Sequence, residues 1–176
     1  MRYLSTFSGV GGFDLGLDRA GMTCVGQVEK DEWRRNVLAA HWPDVPRWND
    51  VSTFRTDQDA SKGRVREGVV RGEANDRECP APLNRRGEQG PARGDVDLLV
   101  GGFPCQDLSV AGRRKGLEGA RSGLFYEFAR IADELRPGWF LIENVPGLAT
   151  SAGGRDLAAV LGTMAEVGDG YRVAWA

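Results

Sequence analysis

Histidine, cysteine and long apolar runs are all scarce in this sequence of 176 residues. The only histidine is His41, so histidine-based catalysis and metal binding have little scope, and catalytic groups must be carboxylates or thiols. The three cysteines, Cys24, Cys79 and Cys105, are odd in number and far apart, which fits neither a disulfide framework nor paired metal ligands. We therefore expect a protein without a metal, from a reducing compartment.

The sequence also lacks a strong net charge and any segment long enough to cross a membrane. No stretch approaches the roughly 18 apolar residues of a membrane span, and the N-terminus does not resemble a signal peptide. The net charge of −2 argues against a module that coats nucleic acid by charge alone. With 41% apolar residues, the chain can bury a real core. These features predict a soluble cytoplasmic protein of about one domain.

Strand-like and helix-like segments alternate along most of the chain. The predicted strands are 2–7, 23–28, 47–51 (weak), 96–102, 139–142 and 171–175, and the predicted helices are 13–20, 31–42, 122–135 and 155–167. The strand at 96–102 is almost continuously apolar, as in a parallel sheet that is covered on both faces. This alternation predicts a three-layer, mostly parallel α/β sheet.

One polar segment interrupts the alternation. Residues 57–95 contain no aromatic side chain, have balanced charges and are rich in glycine, so they bury too little apolar surface to offset their ordering entropy. We interpret 57–95 as a flexible insertion between residues 1–56 and residues 96–176. A DNA-contacting arm is the alternative interpretation.

Residues with chemical potential collect at the carboxyl ends of the predicted strands, where doubly wound sheets bind ligands. A glycine-rich turn over 8–12 follows the first strand, and Glu29 ends the second, 22 residues after Phe7. This spacing suits a carboxylate that accepts hydrogen bonds from ribose hydroxyls, which indicates an adenosine-type cofactor. A plain tight turn is the alternative, because the third glycine of the dinucleotide pattern is missing.

Two further strand ends carry a thiol and a carboxylate. Cys105 follows a proline at the tip of the apolar strand, where a thiolate would be exposed, although an inert packing cysteine is the alternative. Cys24 and Cys79 are interpreted as inert. Glu143 ends the strand 139–142, where burial in an apolar cleft would raise its pKa and make it a proton donor; a loop-fixing carboxylate is the alternative. The basic residues of 113–121 either bind phosphates or form a solvent-exposed hinge.

Taken together, these motifs resemble the cytosine-C5 DNA methyltransferase family. Residues 7–13, Phe-Ser-Gly-Val-Gly-Gly-Phe, resemble its opening cofactor motif. Residues 102–109, Gly-Phe-Pro-Cys-Gln-Asp-Leu-Ser, resemble its nucleophile loop, and residues 143–145, Glu-Asn-Val, resemble a third hallmark. The resemblance covers residues 1–54 and 96–176 and implies a Rossmann-like S-adenosylmethionine-dependent fold, with 1–56 the cofactor-binding part and 96–176 the catalytic part.

The resemblance also implies a role for each motif residue. Glu29 takes the ribose hydroxyls, Asp50 and Val51 meet the adenine, and Lys30 departs from the aromatic residue often found after that glutamate. The remaining cofactor residues surround the glycine turn and the methionine end: Phe7, Gly9, Val10, Gly12, Gly102, Pro104 and Leu124. Cys105 would add to C6 of a cytosine flipped out of double-stranded DNA, and Glu143 would stabilise the charge that develops at N3.

The family pattern continues beyond the residues matched in this sequence. Its arginine motif and target-recognition region have no counterpart here, so we expect a C-terminally truncated fold, with a second chain as a candidate supplier of recognition. The leading hypothesis is a DNA (cytosine-5-)-methyltransferase of restriction-modification type. The alternatives are a non-catalytic remnant that binds S-adenosylmethionine or a partner, and an NAD-dependent oxidoreductase.

Overall fold

The computed structural model describes residues 1–57, 89–104 and 123–174, and its five strands form one parallel sheet. The strands are β1 (Arg2–Thr6), β2 (Thr23–Val28), β3 (Arg47–Trp48), β4 (Leu98–Gly101) and β5 (Trp139–Ile142). The helices are α1 (Gly12–Arg19), α2 (Glu32–His41), α3 (Leu124–Leu135), α4 (Gly147–Thr150) and α5 (Arg155–Glu166), with a 3-10 turn at Ser151–Gly154. The strand order β3-β2-β1-β4-β5 confirms the predicted Rossmann-like α/β fold.

Helices cover both faces of the sheet, as the alternation of the sequence predicts. On one face, Leu4 and Leu99 pack into the main core with α3 and α5. On the other face, the neighbouring residues Tyr3, Leu98 and Val100 pack against the apolar side of α1. Successive strand residues point to opposite faces, so β1 supplies Leu4 to one layer and Tyr3 to the other, and β4 likewise supplies Leu99 to one and Leu98 with Val100 to the other.

The predicted last strand is wrong over the described residues. Residues 171–174 are in no strand, and residue 175 lies outside the described part of the chain. Tyr171 is instead held by its side chain: its ring packs edge-on against Phe140 at 5.1 Å, and its hydroxyl donates to the carbonyl of Pro137 at 2.7 Å. The alternation of apolar residues here therefore reflects side-chain packing and not backbone pairing in a sheet.

The predicted flexible insertion falls mostly on residues 58–88, which lie outside the described residues. Its C-terminal end is packed, because residues 90–92 are buried. The amide of Gly90 donates to Arg55 O at 2.7 Å, and the amide of Asp57 donates to Pro91 O at 3.2 Å. These bonds bring the two ends of the segment together beside the sheet.

Strand β5 leaves one side of the described sheet exposed. It pairs with β4, and no other described strand pairs with it. Trp139 and Leu141, which share one face of β5, are 67% and 41% exposed. In the described part of the chain no helix is long and apolar enough to cross a membrane.

A buried carboxylate, Asp14, fastens α1 to the sheet. It is fully buried and accepts hydrogen bonds from Ser5 Oγ at 3.0 Å and Gln27 Nε2 at 2.9 Å, while Cys24 Sγ lies 3.6 Å away. Burial raises the pKa of Asp14, an effect that these hydrogen bonds oppose. Burial also raises the pKa of the Cys24 thiol to about 12, which agrees with an inert cysteine.

Replacing Gly11 should destabilise the start of α1. Gly11 has φ +87°, and a Cβ added there would lie 2.5 Å from Cη2 of Trp42, whose indole N–H is held by Asp18. We expect Gly11→Ala to lower the free energy of unfolding by about 1–3 kcal/mol or more. Gly12→Ala is the matched control, because no atom lies within 4 Å of its added Cβ. Urea denaturation that finds both variants as stable as the wild type would contradict this account.

Asp14 should also make stability depend on pH. Its folded-state pKa is raised above the ordinary value of 3.8, so its contribution is fully present below 3.8 and is lost as pH rises through the raised pKa. The neighbouring Tyr3 and Cys24, whose pKa values are also raised, stay neutral in that range. We expect the melting temperature of the wild type relative to Asp14→Asn to increase as pH falls from 7 towards 4.5. The exposed Asp44→Asn is the control, and a pH-independent difference for Asp14→Asn would refute the prediction.

Candidate functional site

A cleft of about 210 Å³ opens at the carboxyl ends of the strands. It lies where the strand order reverses between β1 and β4, the usual ligand position in doubly wound sheets. Its walls are formed by Phe7, Val28, Glu29, Lys30, Arg34, Asp50, Val51, Gly102, Pro104 and Leu124. Seven of the ten residues predicted to bind a cofactor are therefore brought together; Gly9, Val10 and Gly12 are not among the lining residues.

The turn after β1 shapes one wall of the cleft. Phe7 and Gly9 both have left-handed backbones, with φ of +53° and +58°. For a bulky residue such as Phe7 this conformation is uncommon and strained, which is typical of functional turns. The Ser8 amide donates to Val28 O at 3.2 Å and Ser8 Oγ donates to Ser5 O at 3.1 Å, so the turn is tied to β2 and β1. Val10 is 51% exposed at its tip.

Glu29 is the buried polar centre of the cleft. Its carboxylate accepts hydrogen bonds from the amide of Gly9 at 2.8 Å and from the amide of Asp31 at 2.9 Å, one on each oxygen. Although Gly9 does not line the cleft, it thus fixes the residue that does. Each carboxylate oxygen accepts about two hydrogen bonds, so Glu29 retains capacity for two hydroxyl donors.

Asp50 and Val51 form the opposite wall, directly after β3. The Oδ1 atom of Asp50 accepts from the Ser52 amide at 2.9 Å, and its carbonyl accepts from the Phe54 amide at 2.9 Å. Val51 is buried, whereas Asp50 is partly exposed at the cleft. An apolar surface beside a carboxylate suits a base whose amino group needs an acceptor.

Two cations at the rim were not predicted as site residues. Lys30 Nζ lies 3.9 Å from Asp50 Oδ2, and Arg34 Nη1 lies 3.8 Å from Glu29 Oε1. The signal for Arg34 was its place in the first turn of α2, whose N-cap Asp31 accepts the Arg34 amide and turns that helix end towards Glu29.

Glu143 lies against the end of β4, as predicted for neighbouring strand ends. Gly101 pairs with Ile142, and an added Cβ on Gly102 would lie 2.6 Å from Glu143 Oε2, so only glycine fits beside this carboxylate without displacement. Glu143 is exposed, not buried as we expected, because it projects beyond the last paired residues. Its predicted partner Cys105 and the basic run 113–121 lie outside the described residues.

Asn144 joins the two strand ends. Its Nδ2 donates to Phe103 O at 2.9 Å, and its Oδ1 accepts from the Val145 amide at 2.9 Å. Asn144 thus fixes the segment after β4 relative to Glu143. Asn144 belongs to the Glu-Asn-Val motif, but the sequence alone predicted no role for it.

The residues of the cleft fit the expected S-adenosylmethionine. Glu29 offers unused acceptor positions for a ribose diol, Asp50 offers a carboxylate for an amino group, and Phe7, Val51 and Leu124 offer apolar surface. The described residues contain no group of three or more His, Cys, Asp or Glu side chains that could hold a metal ion.

The chain is similar to known methyltransferases over nearly its whole length. It is 35% identical over 162 residues to the type II methyltransferase M.PspPI of Psychrobacter sp. and 34% identical over 165 residues to M.Eco47II of Escherichia coli. These matches cover 92% and 94% of this chain but 31% and 32% of the relatives, so the chain spans about a third of their length.

A solved structure of a methyltransferase has a similar fold. A prophage-encoded E. coli protein described as a DNA modification methyltransferase superposes with a TM-score of 0.58 at 25% identity, covering 93% of this chain and 37% of that one. The family model for C-5 cytosine-specific DNA methylase matches residues 1–64 and 84–176, which include the glycine turn, the cleft and Glu143. The chain therefore belongs to the C-5 cytosine-specific DNA methylase family.

Proposed function

We propose that this chain forms the cofactor-binding and catalytic part of a DNA (cytosine-5-)-methyltransferase. One observation carries the proposal: the Glu143 carboxylate lies against Gly102, a lining residue of a cleft suited to an adenosine-containing ligand. The carboxylate that would contact the cytosine base therefore lies next to the site that would hold the methyl donor. Gly102 also lies three residues before the motif thiol Cys105. Family membership supports this reading.

The cleft residues would hold S-adenosylmethionine, which methyltransferases of this family and fold use. Glu29 would accept the ribose hydroxyls, and Asp50 with Val51 would meet the adenine. Phe7, Gly102, Pro104 and Leu124 would enclose the remainder, with Gly9 acting through its bond to Glu29. Val10 and Gly12 would shape the turn. When bound, this cofactor supplies an electrophilic methyl group.

Cys105 and Glu143 would activate the cytosine. C5 of cytosine is too electron-poor to attack a sulfonium methyl, so the Cys105 thiolate adds to C6 and makes C5 nucleophilic. Glu143 donates a hydrogen bond or proton to N3 and stabilises the charge that develops there. The methyl group would pass to C5 as its bond to the sulfonium sulfur breaks, which leaves a neutral thioether. Loss of the C5 proton to a base would then expel the thiolate of Cys105 from C6, and the N3 proton would return to Glu143.

The substrate would be double-stranded DNA with the target base outside the helix. Neither C5 nor C6 can be reached in a stacked duplex, so flipping must precede addition at a cost of about a few kcal/mol. Asn144 would fix the position of Glu143 relative to the segment that leads to Cys105, since its side-chain amide donates to Phe103 O. Recognition of a DNA sequence would come from a target-recognition region such as the one that the family pattern implies beyond these motifs.

Cofactor binding is tested by Glu29→Gln. The substitution places an amide N–H where Glu29 now accepts a hydrogen bond, so we expect the Kd for S-adenosylmethionine to increase at least about tenfold in calorimetric titration. The exposed Glu32→Gln on α2 is the control and should bind like the wild type. Preferential binding of NAD by the wild type, or an unchanged Kd for Glu29→Gln, would count against the proposal.

Catalysis is tested by Cys105→Ala. Transfer of a labelled methyl group to DNA should fall below detection, while binding of S-adenosylmethionine stays within about threefold of the wild type. Cys79→Ala is the matched thiol control and should retain activity. Because the chain spans about a third of its relatives, the assay is run on the chain alone and with a complementing C-terminal polypeptide.

A second substrate checks the covalent step. DNA carrying 5-fluorocytosine has no C5 proton to lose after methyl transfer, so the C6–S bond should persist. We expect a denaturant-resistant protein–DNA complex with the wild type and none with Cys105→Ala. Equal methyl transfer by both proteins would overturn the proposed function.

A further inference from the structure

Arg130 of α3 contacts the main chain of the wall that carries Asp50 and Val51. Its Nη2 atom donates to Val51 O at 3.1 Å and to Phe54 O at 3.0 Å. Val51 lines the cleft, while Arg130 does not. Arg130 therefore touches the backbone of a lining residue from behind.

Two carboxylates hold the guanidinium in place. Arg130 Nε donates to Glu127 Oε2 and Arg130 Nη1 donates to Glu134 Oε1, both at 2.8 Å. Glu134 also accepts a hydrogen bond from Thr56 Oγ1 at 2.6 Å, so the same cluster contacts the chain five residues after Val51. The Arg130 side chain is only 27% exposed, and a guanidinium held by this fork geometry is much less free to move than a solvated one.

The wall is also held by apolar packing, because Val51 and Phe54 are buried in the main core together with residues of α3. Strand β3 contributes two residues to the sheet, and the chain then turns at Asp50, whose carbonyl accepts from the amides of Thr53 and Phe54. The Phe54 ring packs edge-on against Trp48 at 4.9 Å. Beside this apolar packing, the hydrogen bonds from Arg130 to Val51 O and Phe54 O connect the main chain of the turn to α3.

That helix also supplies the facing wall. Leu124, the first residue of α3, lines the cleft, and Arg130 lies six residues further along the same helix. One helix therefore supplies Leu124 to the cleft and, through Arg130, a hydrogen bond to the carbonyl of Val51.

We infer that Arg130 is a positioning residue for the cofactor: it fixes the Asp50–Val51 wall relative to Leu124 and so determines the affinity of the adenosine end. The inference rests on the proposed function, because it assumes that S-adenosylmethionine occupies this cleft. Loss of the guanidinium leaves two carbonyls and two carboxylates without their donor, so the turn after β3 shifts or loosens.

The test compares Arg130→Met and Arg130→Lys with Arg136→Met. Arg136 is the residue that caps the C-terminal end of α3, and it pairs with Asp133 and Asp169 and does not line the cleft, which makes it a control for loss of a nearby arginine. We expect the Kd for S-adenosylmethionine to increase about tenfold in Arg130→Met, equivalent to ~1.4 kcal/mol, and less in Arg130→Lys. Arg136→Met should bind like the wild type.

A second readout separates positioning from general destabilisation. Amide hydrogen exchange of the peptide covering 50–56 should become severalfold faster in Arg130→Met, while peptides from β1 and β2 stay unchanged. Binding of adenosine should weaken by the same factor as binding of S-adenosylmethionine, since the defect is at the base. Should Arg130→Met not fold, Glu134→Gln, which removes one holder of the guanidinium, is expected to give the same local exchange with a smaller change in Kd.

The outcomes distinguish the two proposals. A wild type that does not bind S-adenosylmethionine refutes the proposed function. A wild type that binds it, together with Arg130→Met or Glu134→Gln variants of unchanged Kd and unchanged exchange at 50–56, refutes the role of Arg130 and leaves the function standing.

Discussion

The parallel pairing of β1 with β2 on one side and β4 on the other is the constraint on which the site depends. Since β1 is central, the chain proceeds outwards first to β2 and β3 and later to β4 and β5. The connections on the two sides diverge at the carboxyl end of β1, which leaves a crevice there. Phe7, Glu29 and Gly102 face one another because each follows one of these three strands.

Each wall of this crevice is held by a hydrogen bond between the main chain and a side chain of another part of the fold. Glu29 accepts the Gly9 amide, Asn144 donates to Phe103 O, and Arg130 donates to Val51 O. A ligand that enters such a site meets groups whose positions are already determined, so less of its binding free energy is spent on ordering them. The strained backbone of Phe7 is consistent with a turn shaped for binding rather than for stability.

Much of the fold could be predicted from sequence, because periodic apolar segments are local signals, whereas most of the cleft residues, such as Asp50 and Leu124, were predicted from the resemblance to a family. Glu29 was found from its position after a strand. The failures involve tertiary contacts: residues 171–174 alternate like a strand but pair with none of the described strands, and the exposure of Glu143 depends on what surrounds it. Arg130 gave no local signal, since its contacts are with carbonyls brought close by folding, and the only local signal for Arg34 was its place in the first turn of α2.

The uncovered side of β5 can pair with a further strand. Trp139 and Leu141 stand on a strand whose outer N–H and C=O groups have no described strand beside them, and the strand's carboxyl end is Ile142, next to Glu143. Any segment that extended the sheet at this margin would bury the indole and also run alongside the acidic residue. Extension of the sheet and enclosure of the end that carries Glu143 would then be a single event.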